Sequence, residues 1–156
     1  MHRHILIPTD GSALSQAAVE YGVALAKSVG AKVTVLPVST PFHTFAVEPA
    51  MVTETPEHYA KRAAVSVANY LDAAKQVALA AGVGCETLHV EHDHPYLAII
   101  DTAARKSCDL IVMSSHGRHG ISAIVLGSET TKVLTHSSIP ALIVRLPSRP
   151  FFYVPS

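Results

Sequence analysis

At 156 residues the chain is sized for one domain and is long enough to bury most of the surface its unfolded form exposes. Hydrophobic residues make up 49% and charged residues 15%, a balance that excludes a disordered chain. Lys plus Arg and Asp plus Glu stand at 12 each, so no net charge points to a nucleic acid or to an anionic membrane as partner.

The first apolar run, Ile5 to Ile7, stops at Pro8 and Asp10, far short of a signal-peptide core. Later runs such as Leu110 to Met113 are strand-sized and cannot span a bilayer, so the expected location is the cytoplasm. Cys85 and Cys108 form no Cys-x-x-Cys pair and read as small core side chains of a protein in a reducing compartment.

His4 to Pro8 is the first predicted strand. Ser12 caps the helix after it, in which Leu14, Ala17, Ala18, Tyr21, Ala24 and Leu25 recur at helical spacing, and Gly30 ends it. Lys32 to Val38 is the second strand, with Pro37 placed near its end because a proline is awkward inside a sheet. Ser39 to Thr55 has no clear period and reads as a long loop. Pro56 opens a helix to about Ala81, with Tyr59, Ala63, Val67, Tyr70, Leu71, Ala74, Val77 and Ala78 expected inward and Gly82 closing it. Cys85 to Glu91 is the third strand. Pro95 to Arg105 is the third helix, with Leu97, Ile100 and Ala104 inward. Asp109 to Ser114 is a fully buried strand, a helix follows from about Ser128 to His136, and Ala141 to Leu146 is the last strand. This alternation predicts one α/β domain over residues 1–146, a doubly wound parallel sheet covered on both faces, followed by an aromatic tail over 147–156.

Ligands of such sheets bind outside the carboxyl ends of the strands. Three segments reach that edge: Pro8-Thr9-Asp10-Gly11-Ser12, the end of the second strand around Val38, and Ser114-Ser115-His116-Gly117-Arg118-His119-Gly120 with Leu126-Gly127-Ser128. In the third, glycines admit close backbone approach, Gly127-Ser128 opens a helix whose N–H groups favour an anion, and Arg118 adds a cation. Neither a P-loop nor a Gly-x-Gly-x-x-Gly is present. The residues alone leave a phosphate cradle and an ordinary loop both open.

Three signatures occur in order: Ile-Leu-Ile-Pro-Thr-Asp-Gly-Ser, then Cys-Asp-Leu-Ile-Val-Met-Ser-Ser-His-Gly-Arg-His-Gly, then Leu-Gly-Ser-Glu-Thr-Thr-Lys-Val-Leu. Together, from Arg3 to about Leu146, they resemble the universal stress protein family. The resemblance implies an open five-stranded, Rossmann-like sheet of order 3-2-1-4-5 and a homodimer through the last strand. It also implies binding of ATP, or of ADP or AMP, with Mg2+ held through the phosphates. Carried over residue by residue, Asp10 and Val38 face adenine and ribose, while Gly117, Gly127 and Ser128 cradle phosphates. Pro8, Thr9, Ser114, His116, Arg118, Gly120 and Glu129 complete the expected site. The family's Gly-x-x-Gly-x9-Gly-Ser spacing is kept at Gly117 and Gly127-Ser128, but Ser114 replaces the first glycine. That departure fits a rival role, in which a member without nucleotide acts through an unidentified protein partner. The loss of more than one motif glycine would be needed to favour it, and Gly117 and Gly127 are kept. No positioned general base beyond Asp10 is visible, which limits any ATP hydrolysis to a slow one.

Other signals point elsewhere. His89, His92 and His94 with Glu91 and Asp93 have the makings of a metal cluster, but in a strand His92 points away from His89, and a polar helix-capping loop is the expected role. His116 and His119 are divided between phosphate contacts and plain loop positions. His2 and His4 are expected at the surface. A Ser12, Asp10 and His116 triad lacks a Gly-x-Ser-x-Gly elbow, and Ser12 already has a capping role.

Overall fold

The structure is a computed structural model and describes residues 1–41, 55–116 and 126–145. Strands and helices alternate as β1 (His4–Thr9), α1 (Ala13–Val29), β2 (Lys32–Ser39), α2 (Pro56–Ala81), β3 (Cys85–Thr87), β4 (Val90–Glu91), α3 (Pro95–Arg105), β5 (Leu110–Ser114), α4 (Ser128–His136) and β6 (Ala141–Val144). Every pairing is parallel and the order is β3-β2-β1-β5-β6, with β4 also on β2. The expected order is therefore present.

One strand differs from expectation. The run Cys85 to Glu91 divides into β3 and β4, yet the register on β2 does not slip: Val35 faces Thr87 and Val38 faces Val90. The cause is Pro37, which lies inside β2 rather than at its end. Val33 donates to the Gly84 carbonyl at 2.9 Å and Leu88 donates back to Val35 at 3.1 Å. By that alternation the next donor toward the third strand belongs to residue 37, and proline has none. The ladder lapses at Leu88 and His89 and resumes at β4.

The sheet's two faces carry two cores. Ile5, Ile7, Val33 and Val35 pack against Val19, Val23 and Ala26 of α1 and against Ala74 and Ala78 of α2. Leu6, Leu36, Ile111 and Met113 pack against Ile99 and Ala103 of α3 and Val133 of α4. Odd and even positions of β1 thus serve opposite layers, as the two-residue strand period requires.

The helices begin and end where expected. The Ser12 hydroxyl accepts from the Ser15 N–H at 3.1 Å, the Thr55 hydroxyl accepts from His58 at 3.1 Å, and Gly30 and Gly82 take φ of 72° and 70°. Their inward faces are rotated from expectation. In α1 the buried set is Leu14, Ser15, Ala18, Val19, Gly22, Val23 and Ala26, whereas Tyr21 is 49% exposed. In α3 it is Ala98, Ile99, Thr102 and Ala103, with Leu97 turned outward. In α1 close approach explains this: a β-carbon on Gly22 would stand 2.5 Å from Ile7 Cδ1, so small residues line that contact. Of the eight residues assigned inward in α2, Ala74 and Ala78 are fully buried; the helix docks by its C-terminal half.

His4 is also inside. It is 5% exposed, with Nδ1 3.0 Å from the Lys106 carbonyl and Nε2 2.7 Å from the Thr34 hydroxyl. Only an N–H can face a carbonyl, so Nδ1 carries the proton and Nε2 accepts from Thr34.

Candidate nucleotide site

The first wall of the site is the turn leaving β1. Asp10 accepts the Ser12 N–H at 2.9 Å, and the Thr9 hydroxyl meets the Ser15 hydroxyl at 3.0 Å and takes the Gly11 N–H at 3.2 Å. These local bonds shape the turn before any ligand arrives. Gly11 has φ of 77°, and the Tyr70 ring lies where its β-carbon would be, 1.9 Å from that position. A side chain there would be strained by the left-handed backbone and would have to push the Tyr70 ring aside.

The second wall joins the end of β5 to the start of α4. The Ser114 hydroxyl donates to the His116 carbonyl at 3.0 Å, and the Thr130 hydroxyl donates to the Ser114 carbonyl at 2.9 Å. Ser115 donates to the Val144 carbonyl at 3.0 Å and accepts the Gly127 N–H at 2.7 Å. The helix ladder of α4 starts with Thr131 donating to Gly127, so the N–H groups of Ser128, Glu129 and Thr130 have no partner inside the helix. The positive end of α4 is therefore presented at the cavity wall.

Glu129 has a second task. Its Oε2 accepts the Tyr96 N–H at 2.8 Å, and its Oε1 lies 3.6 Å from Lys132 Nζ. His94, at the N-cap of α3, makes no capping bond with its side chain. A carboxylate from α4 thus caps α3 across the layer and holds the two helices in step.

Between these walls lies a cavity of about 400 Å3. It gathers Pro8, Thr9, Asp10, Val38, Ser114, His116, Gly127, Ser128 and Glu129 from the three segments singled out in the sequence. Gly117, Arg118 and Gly120, also expected here, lie outside the described residues, as does the tail over 147–156. Sequence reasoning missed Ser15, Thr40, Pro95, Ile99, Met113 and Thr130, which line the same cavity. Pro95 carried a usable signal, because a helix that follows the third strand must also start at the carboxyl edge. Ile99 and Met113 supply an apolar floor, and hydroxyls of Thr9, Ser15 and Ser114 stand near it. An apolar slot ending at a helix N-terminus suits a flat ring carrying an anion.

The histidines of the third strand do not converge. His89 Nε2 is 2.8 Å from the Ser39 hydroxyl, and His92 Nδ1 accepts the His94 N–H at 2.8 Å. Among the described residues no three His, Cys, Asp or Glu side chains are grouped to hold a metal ion. No helix among them is long and apolar enough to cross a membrane.

The fold and the cavity together define a doubly wound, Rossmann-like α/β protein with its cleft at the carboxyl edge. The universal stress protein family model matches residues 1–145, and the chain belongs to that family. Universal stress protein YxiE of Bacillus subtilis is 32% identical over 149 residues, covering 93% of this chain and all of that protein. The solved structure of hypothetical protein MJ0577 superposes with a TM-score of 0.78 at 25% identity, covering 96% of this chain and 99% of that one. A universal stress protein solved in complex with cAMP shares the fold, with a TM-score of 0.69 at 24% identity over 92% of this chain and 97% of that one.

Proposed function

We propose that this protein binds an adenine nucleotide, ATP or its relatives ADP and AMP, in the cavity between the β1 turn and α4, and that the bound state switches the contacts of a homodimer in the cytoplasm. One observation carries the reading: residues far apart in sequence, from Pro8 to Glu129, meet in one cavity at the positive end of α4. Val38 and Ile99 provide apolar surface for the base, Asp10 lies beside it for the base or ribose, and the first turn of α4 takes the phosphates. Mg2+ would reach the site through those phosphates. A protein of the same fold that holds cAMP supports the choice of an adenine ligand.

Ser114 fits a second reading, in which the protein acts through a protein partner without nucleotide. It replaces the first glycine of the pattern that the resemblance assigns to nucleotide-binding members, and its hydroxyl is bonded to the His116 carbonyl. The two separate by calorimetry on pure, nucleotide-free protein, with ATP and Mg2+. Saturable heat with a one-to-one stoichiometry is the expected result. If no heat appears with ATP, ADP or AMP, and the Ser114→Gly variant gains none, the partner reading replaces the first.

A further inference from the structure

A second cavity, of about 350 Å3, opens on the α2 side of the same turn. Tyr59, Arg62, Ser66 and Tyr70 line it from α2. Thr9, Asp10, Val38 and Thr40 line this cavity and the first alike, so the two meet over the carboxyl ends of β1 and β2. A ligand seated at α4 therefore has somewhere to continue.

The two ends differ in chemistry. The α4 end offers backbone N–H groups to an anion, as argued above. The α2 end offers two phenol rings and a guanidinium. The Tyr59 hydroxyl donates to the Thr40 carbonyl at 3.2 Å, and the Tyr70 ring is seated on Gly11, so both rings are already placed. Flat aromatic faces receive a heterocyclic base by stacking, and Arg62 suits a phosphate or an amide beside it.

We infer that the ligand of this chain is a dinucleotide, with one nucleoside and its phosphates between the β1 turn and α4 and the second ring against Tyr59 and Tyr70 beside Arg62. This rests on the nucleotide reading above and names the size and class of its ligand. The probes are AMP, NAD+ and diadenosine tetraphosphate, titrated into the full chain by calorimetry at one salt concentration. The two-ring compounds are expected to bind at least tenfold tighter than AMP. Tyr59→Ala and Arg62→Gln, both on the outer part of α2, should each bring that ratio down toward one. Equal affinity of all three probes for the unaltered chain overturns the inference and leaves the nucleotide reading standing. A tenfold advantage that survives both substitutions overturns the placement of the second ring. If none of the three probes binds, and ATP gives no heat in the calorimetry described above, both readings fall together.

Discussion

Gly127 lies flush on His116: a β-carbon at position 127 would stand 2.9 Å from His116 Cα and 3.0 Å from its Cβ. The glycine's φ of −62° is one that any residue adopts. Room, not backbone freedom, is what the position demands. Its N–H bond to Ser115 then fixes the distance between the end of β5 and the start of α4, which sets the width of the cavity.

The sequence by itself suggests that a bulky residue at 127 would block a ligand while touching no core. The contact with His116 changes that expectation. Gly127→Ala should cost about 1–3 kcal/mol of stability, as overpacking does, and Gly127→Val should cost more. Urea unfolding measures it. A midpoint for Gly127→Ala equal to that of the unaltered chain would show that the turn yields freely.

The same pair of residues marks where sequence reading stops. The alternation of strands and helices and the segments of the site were legible because hydrophobic period and glycine placement are local signals. The strand order came only from the family resemblance. Tertiary distances are not local signals. Leu14, Tyr21 and Leu97 look like the inward residues of their helices because they are the largest, yet Tyr21 and Leu97 face out. Close seating of α1 on Ile7 selects Gly22 instead, and that choice depends on the distance between layers. Pro37 was visible as a difficulty, but its effect falls on Leu88, about fifty residues on in sequence and one strand away. His4 looked like a surface residue because its partners, Thr34 and Lys106, come from other elements.

Buried His4 links stability to pH. Burial, and then the nearby charge of Lys32, hold its pKa below the usual value of 6.5, against the opposing pulls of the Lys106 carbonyl, Glu86 and Asp109. The unfolded chain therefore takes up this proton at a higher pH than the folded one. Stability from neutral His4 is fully present above about pH 6.5 and is lost as pH falls through the lower folded pKa. The ten histidines of the chain complicate a single curve, so the comparison is with His4→Gln. Between pH 7.5 and 5.5 the unaltered chain should lose more stability than the variant, and equal losses would acquit His4.

Cys85 and Cys108 should stay apart under oxidation. Both are free thiols at the amino ends of β3 and β5, and β2 and β1 lie between those strands. Three inter-strand steps give a separation of roughly 14 Å, against the ~7 Å limit on Cα distance for a disulfide. Burial first, then the charge of Asp109, push the Cys108 thiol up to about 11, so it is a neutral, poor nucleophile at pH 7. Iodoacetamide on the folded protein should label half-buried Cys85 well before Cys108. Peptide mapping after gentle oxidation should find no Cys85–Cys108 link within one chain.

Assembly through β6 can be tested at one atom. β6 ends the sheet beside β5 in the described residues, and Ala141, Leu142 and Ile143 are each partly exposed. Ala141 and Ile143 belong to the α3 and α4 layer while Leu142 belongs to the α1 layer, so the strand is apolar on both faces. An edge of this kind invites a second copy, and a two-fold pairing would remove it. The Pro140 carbonyl accepts from Ile111 and the Val144 carbonyl from Ser115, so residues 140, 142 and 144 direct their polar groups toward β5. The N–H of Ile143 then points away from the sheet, to where a second copy would pair. Ile143→Pro removes that donor and leaves the β5 ladder whole, since proline is tolerated on an outward-facing edge. Light scattering at micromolar concentration should give a dimer for the unaltered chain and a folded monomer for Ile143→Pro. A dimer that survives the substitution would place the interface elsewhere, and a monomer before it would leave β6 without a partner.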